Sequence, residues 1–398
     1  MSRDDKHQSD KTVNSLSATG FFISAQQQMV NPVIGIYANE TLHVSPALVG
    51  YIFTVFSLSS LATKLSSFFI MSRKKVVNPL FVSGLLISVL APVGYVAVDD
   101  YTVLLLLRII HGAAFAYDTV LMLTIAGHNS DRNNLLRAIQ RYTTFLAVGL
   151  TVGPIVGTVL VWIVGIRDTI LASSLMGLGA FLTGLRAARQ TLNEPTQDYS
   201  GTSANALVKQ LKDRVLASTS LAYLSYNIAY GGVLAFSPLI ARREVGLSES
   251  MVTVMFFLYY VSALSARSTM STLISRMKVQ TVYVSILLIS AVGAVFIAAS
   301  RNPFVFASGY VLMAVAHGLS FPLSSLIIAR RFENSSLRLT ANSVLMSMWD
   351  TGMMLGPVVC SASLVFVPLD QVLLPMTVFP LAGILMMTMA SASLDRSN

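Results

Sequence analysis

Charge is scarce in this chain. Only 11% of its 398 residues are Asp, Glu, Lys or Arg, where a soluble globular domain carries roughly 25%. A surface so poor in charge is not made for water, which argues against a water-soluble domain. A single cysteine, Cys360, permits neither an internal disulfide nor a thiolate zinc site. The stretch Met1–Leu16 has no apolar core and is not a secretory leader. Long polar–apolar alternation, the mark of a membrane β-barrel, is missing. So are a phosphate-binding glycine loop, His/Cys/Glu groups at metal-ligand spacing, and a strained nucleophile turn.

What is present is apolar. Hydrophobic residues make up 54% of the chain and the mean hydropathy is +0.68. A bilayer core takes helices of about 20 apolar residues. Twelve such segments can be read, near 18–38, 46–70, 77–97, 102–126, 138–163 and 168–188, then 215–239, 250–273, 281–300, 304–328, 340–367 and 371–392. The expected architecture is an all-α membrane protein with twelve transmembrane helices. Its parts are an N-terminal tail (1–16), a six-helix bundle (17–188), a polar linker (189–214), a second six-helix bundle (215–392) and a short tail (393–398).

The net charge of +9 and pI near 9.7 would fit a nucleic-acid binder, but the positions of the cations give another explanation. With the N-terminus in the cytoplasm, inner segments collect twenty Lys and Arg residues, among them Arg73, Lys74, Lys75, Arg132, Arg137, Arg276, Lys278, Arg330 and Arg331. Outer loops hold four, Arg167, Arg242, Arg243 and Arg301. This bias orients the protein with both termini and the linker cytoplasmic. Lipid, and not nucleic acid, is the partner it implies.

The two sets of six are related. Ser72, Arg73 and Lys75 recur as Ser275, Arg276 and Lys278, and Lys64 as Arg267, at an offset of 203. His111, Gly112 and Phe115 recur as His317, Gly318 and Phe321 at 206, and Gly149, Gly153 and Pro154 as Gly352, Gly356 and Pro357 at 203. An even number of helices per half makes these parallel repeats, related by an axis along the membrane normal.

Five charges fall inside segments: Lys64, Arg108, Asp118, Arg267 and Asp350. Each costs at least ~2.5–3.5 kcal/mol at mid-bilayer, so each needs a reason. Lys64 is nine residues from Arg73, about 13 Å at the helical rise, which is deep for a snorkelling stem. Arg108, His111, Phe115, Asp118 and Met122 are spaced three and four apart, so they form one stripe that faces the bundle interior or a cavity and not lipid. The matching stripe in the second half, Ala314, His317, Phe321, Ser324 and Ile328, has lost its charges and kept its histidine. The N-terminal half therefore carries more of the coupling chemistry. His111 and His317 read either as neutral packing histidines or as proton carriers. Asp350 reads either as a proton-handling carboxylate or as half of a static ion pair. Lys64 and Asp350, at similar depth in their segments, are a candidate charge-pair switch, with Asp118 as a competitor for Lys64.

Polar cavity candidates are Gln27, Gln28 and Asn31 in the first segment, and Tyr223, Tyr226, Asn227 and Tyr230 in the seventh, together with His317. Tyrosines with a polar tip suit an amphipathic organic substrate; interhelical hydrogen bonding explains the same pattern. Gly149, Gly153, Pro154 and Gly157, with Gly356 and Pro357, allow close helix approach and a bend.

These residues carry a resemblance. Arg108, His111, Gly112 and Ala113 look like the arginine-x-x-x-glycine motif of the major facilitator superfamily. Gly149, Gly153, Pro154 and Gly157 look like the glycine–proline motif of its antiporters. Pro32 and Tyr37 before Ser45-Pro46 are similar to its drug–proton antiporter branch. After the second segment the family's glycine and acid are replaced by Leu65 and Phe69, and in the repeat by Ser268 and Thr272, so its cytoplasmic charge latch is not carried over. The resemblance implies two pseudo-symmetric six-helix bundles moving by alternating access. It also implies secondary transport of a small molecule by a monomer of the cell membrane, driven by a proton gradient with no cofactor. Export is the leading expectation and nutrient uptake the alternative. A membrane-embedded enzyme, the reading from another class, is disfavoured by the parallel repeat and the missing catalytic cluster.

Overall fold

The structure is a computed structural model that describes residues 3–71, 74–128, 135–191, 212–332 and 335–394. Side chains are described for 11–66, 77–122, 138, 141–189, 212–332, 337 and 341–388. Most of the linker, and the basic residues Arg73, Arg132, Lys209 and Arg396, lie outside the described residues.

The described residues are almost all helical, joined by short turns, and contain no strand. The first half comprises α1 (Arg3–Glu40), α2 (Pro46–Met71), α3 (Lys74–Ala97) and α4 (Tyr101–His128), followed by the continuous element Leu135–Thr191. That element breaks at Gly165, whose φ of 79° lies in the left-handed region that only glycine enters without strain. We label its arms α5 (135–164) and α6 (166–191). The second half comprises α7 (Arg214–Arg243), α8 (Glu249–Ser268) with a short continuation Met270–Arg276, α9 (Val279–Ala299), α10 (Pro303–Arg331), α11 (Ser335–Ser363) and α12 (Val378–Leu394). Among the described residues this makes twelve long helices in two sets of six.

Helix starts follow local chemistry. Asp213 caps α7, its Oδ1 accepting from Val215 N and Leu216 N at 3.0 Å each, while Oδ2 accepts from Arg331 at 2.8 and 2.9 Å. Asn302 caps α10 ahead of Pro303. Exposed Asp100 accepts from Val103 N ahead of α4, and the backbone donors of Val103 and Thr102 hold its carboxyl below the usual range.

Nine stretches of the described residues are long and apolar enough to cross a membrane, one of them, Arg141–Arg189, covering both α5 and α6. The helices not among them, α1 and α11, are rich in amide, hydroxyl and charged groups. In compensation α1 is buried from residue 23 to 39 except at Asn31; α7, itself one of the nine, is buried from Tyr226 to Ala241. A polar helix is tolerated in a bilayer where other helices, and not lipid, surround it.

Contacts cluster the chain into two compact units, Met1–His43 with Val55–Asp198, and Val44–Thr54 with Tyr199–Asn398. Inside the first, α5 lies on α1 with almost no gap: a Cβ at Gly149 would strike the Phe21 carbonyl and press on Ser24, and one at Gly153 would strike the Ala25 carbonyl. Inside the second, a Cβ at Gly352 would strike Asn227 and one at Gly356 the Ile228 carbonyl. Ser24 and Asn227, and Ala25 and Ile228, are again 203 residues apart. The offset read from the sequence is thus an offset between equivalent helix crossings. Gly112 on Phe56 and Ser59, and Gly318 on Ala263, repeat the pattern for α4 on α2 and α10 on α8. The apolar core of the first unit joins Leu16 and Ile23 of α1, Phe81 and Leu85 of α3, Tyr117 and Leu121 of α4, Tyr142 of α5 and Ala180 of α6.

Candidate functional site

Two buried clusters occupy corresponding places, one in each unit. In the first, α4 turns its stripe inward, and Arg108, His111, Asp118 and Met122 are all buried. His111 is held at both ring nitrogens. Gln27 of α1 reaches Nε2 at 3.2 Å, and the Tyr95 hydroxyl of α3 reaches Nδ1 at 2.7 Å. An amide nitrogen only donates, so Nε2 accepts; the ring proton then sits on Nδ1 and is donated to the Tyr95 oxygen. The Phe56 ring of α2 stands edge-on to His111 at 5.6 Å. The Arg108 guanidinium lies 4.4 Å from the Phe56 centroid and 5.7 Å from that of Tyr95, close enough for cation–π attraction.

Asp118, two turns further along α4, is treated differently. It is 0% exposed, and among the described residues neither carboxylate oxygen has a hydrogen-bond partner. Gly84 of α3 lies directly against both oxygens, where any Cβ would collide. The Tyr142 hydroxyl, also buried without a hydrogen-bond partner among the described residues, lies within electrostatic reach. Asp118 therefore faces the interior of its own unit, between α3 and the core.

The second cluster is aromatic. The hydroxyls of Tyr226 and Tyr259 pair at 2.8 Å, as do those of Tyr230 and Tyr260. The His317 ring sits among them, 4.8 Å from Tyr230, 5.1 Å from Tyr259, 5.7 Å from Tyr260 and 5.6 Å from Trp349. Its Nδ1 is buried and has no hydrogen-bond partner among the described residues. Arg267 of α8 is exposed and donates from Nε to the Gly318 carbonyl at 3.3 Å.

The seventh-segment stripe divides. Tyr226 and Tyr230 belong to the His317 cluster. Asn227 donates to the Tyr223 carbonyl of its own helix at 2.7 Å and lies against Gly352, at the crossing with α11. Tyr223 packs on Phe321 at 6.0 Å, within electrostatic reach of Asp350 and Arg267. In the first segment Gln28 lies at the α5 crossing beside Gly153, and Asn31 is half-buried. Gln26 donates to the Ser88 and Ser173 carbonyls at 2.5 and 3.2 Å. Gly157 meets Met29 at 3.4 Å. Lys64 is half-buried on α2 in the first unit, and Asp350 is buried on α11 in the second. Among the described residues no three His, Cys, Asp or Glu side chains converge as metal ligands.

Sequence reasoning did not single out Tyr95, Phe56, Tyr259, Tyr260 or Trp349. The adjacent pair Tyr259-Tyr260, and Trp349 beside Asp350 in a sequence with only two tryptophans, were the signals available.

Comparison with known proteins agrees with this architecture. No curated protein matches the sequence. Solved structures do match in fold. A mutant form of the nucleoside transporter NupG is 13% identical with a TM-score of 0.76, over 95% of this chain and 99% of that one. A bacterial homolog of the human lysosomal transporter Spinster, inward-facing and unoccupied, is 14% identical with a TM-score of 0.78, over 98% of each chain. The same homolog in its occupied form gives 15% and 0.71, over 96% of each chain. The profile of the Major Facilitator Superfamily matches residues 16–357 and again 218–396. The chain thus belongs to the Major Facilitator Superfamily of multi-pass membrane transporters.

Proposed function

We propose that this transporter is a proton-coupled exporter of a small organic compound, working by alternating access as a monomer in the cell membrane with both termini cytoplasmic. The observation that carries the reading is Asp118. A fully buried carboxylate with no hydrogen-bond donor among the described residues is costly to keep charged. It exchanges its proton when its surroundings change, and coupling requires a group of this kind. The neighbouring Arg108 and His111 supply fixed charge and a hydrogen-bonded ring, while the aromatic cluster of the second unit, through half-buried His317 and Trp349, suits an organic substrate. The division of labour supports proton handling in the first half and substrate contact in the second. Export, and a place near the drug–proton antiporters, is supported by the glycine–proline arrangement of α5.

A thermal-shift screen finds a compound that stabilises the folded protein. That compound is then offered to everted and right-side-out vesicles under a proton gradient. Accumulation in everted vesicles with an acid interior is the expected result. Accumulation only in right-side-out vesicles with an acid exterior would replace export by uptake.

A further inference from the structure

The two equivalent histidines have diverged. His111 has both nitrogens occupied and lies in a closed core. His317 keeps Nδ1 unengaged by any described residue, and it is half-buried, as is Trp349. The four tyrosines behind them are sealed, at most 3% exposed. Their hydroxyls pair with one another, and, buried as they are, they back the two rings and do not themselves meet a ligand. The accessible part of the cluster is therefore an imidazole and an indole, 5.6 Å apart and inclined at 60°, on an aromatic backing.

A cation stands beside His317. Helical side chains lean toward the N-terminus, so Arg267 reaches back toward the crossing of Ala263 and Gly318, where its Nε meets the carbonyl next to His317. One nitrogen is used there; the residue is exposed, and guanidinium presents further donors in a fork that matches a carboxylate. The competing charge is Asp350, one residue beyond Trp349, which is buried. A face that carries Arg267 and His317 is not a lipid face.

We infer that Arg267, His317 and Trp349 form a binding site for a planar aromatic anion, with its ring on the indole and imidazole and its carboxylate on the guanidinium. This names a substrate class and rests on the reading of the second half as the substrate half.

The test uses the purified full chain carrying Trp162→Phe. Trp162 is 76% exposed on α5 of the first unit, and its replacement leaves Trp349 as the sole tryptophan. Its fluorescence is titrated with benzoate, benzylammonium and cyclohexanecarboxylate, with no gradient present. Benzoate is expected to give a saturable change at about tenfold lower concentration than the other two. Arg267→Gln should weaken benzoate about tenfold at an unchanged melting temperature. Equal or tighter binding of benzylammonium would assign recognition to Asp350 and overturn the inference. Equal binding of cyclohexanecarboxylate, no saturable change, or an unaltered benzoate titration in Arg267→Gln would overturn it too. Failure here with gradient-driven export intact in vesicles removes only this inference. Benzoate binding as expected without gradient-driven export removes the coupling proposal and leaves the site.

Discussion

The residue scale separates groups that the sequence presents alike. His111 and His317 occupy one repeat position, yet the first is fixed by Gln27 and Tyr95 while the second is set among tyrosines and a tryptophan. The difference was not legible from α4 and α10 alone, because it lies in partners supplied by other helices. Tyr95 belongs to a segment with no polar stripe to draw attention to it. If His111 is a structural group, its bond to Tyr95 contributes stability and not transport. Tyr95→Phe leaves a buried ring nitrogen without its partner, which costs ~1–3 kcal/mol. The expected outcome is a lower melting temperature with transport per folded molecule unchanged; a normal melting temperature with lost transport would move His111 into the transport path.

At the scale of helices, far more was readable. Apolar runs mark every helix but α1 and α11, whose polar groups dilute theirs, and the repeated glycines marked the crossings, since only a missing side chain lets two backbones approach this closely. Helix rotation was less readable. Tyr226 and Asn227 are neighbours in sequence but diverge by about 100° around the axis, and that angle sends one to the aromatic cluster and the other to the α11 crossing. The glycines themselves give a graded prediction. Gly153→Ala and Gly356→Ala force a methyl into the Ala25 and Ile228 carbonyls, whereas Gly157→Ala meets Met29 only at ordinary van der Waals distance, 3.4 Å. The first two should each lose ~1–3 kcal/mol, visible as reduced melting temperature in detergent, and Gly157→Ala should be near neutral. Equal effects at all three positions would contradict the close crossing.

For the whole molecule, the membrane class, the two-half organisation and the family were open to sequence reading because composition, cation placement and repeat offset are global signals. The partners of each buried charge were not, since these depend on three-dimensional proximity within a unit. The orientation inferred from the cations has a direct check. Glu40, exposed at the end of α1, and Lys212, exposed before α7, are replaced singly by cysteine; native Cys360 is buried and does not compete. Labelling from outside at position 40 and from inside at position 212 is expected, and outside labelling at both would reverse the argument from charge.

The central claim is that Asp118 couples proton movement to transport. It is tested most directly by comparing the unaltered chain with Asp118→Asn in proteoliposomes, using a compound from the thermal screen. With an acid interior the unaltered protein should accumulate the compound against its gradient. Asp118→Asn, equally folded by melting temperature, should equilibrate the compound without accumulating it. Accumulation by Asp118→Asn at the unaltered rate, with the same dependence on the proton gradient, would contradict the account.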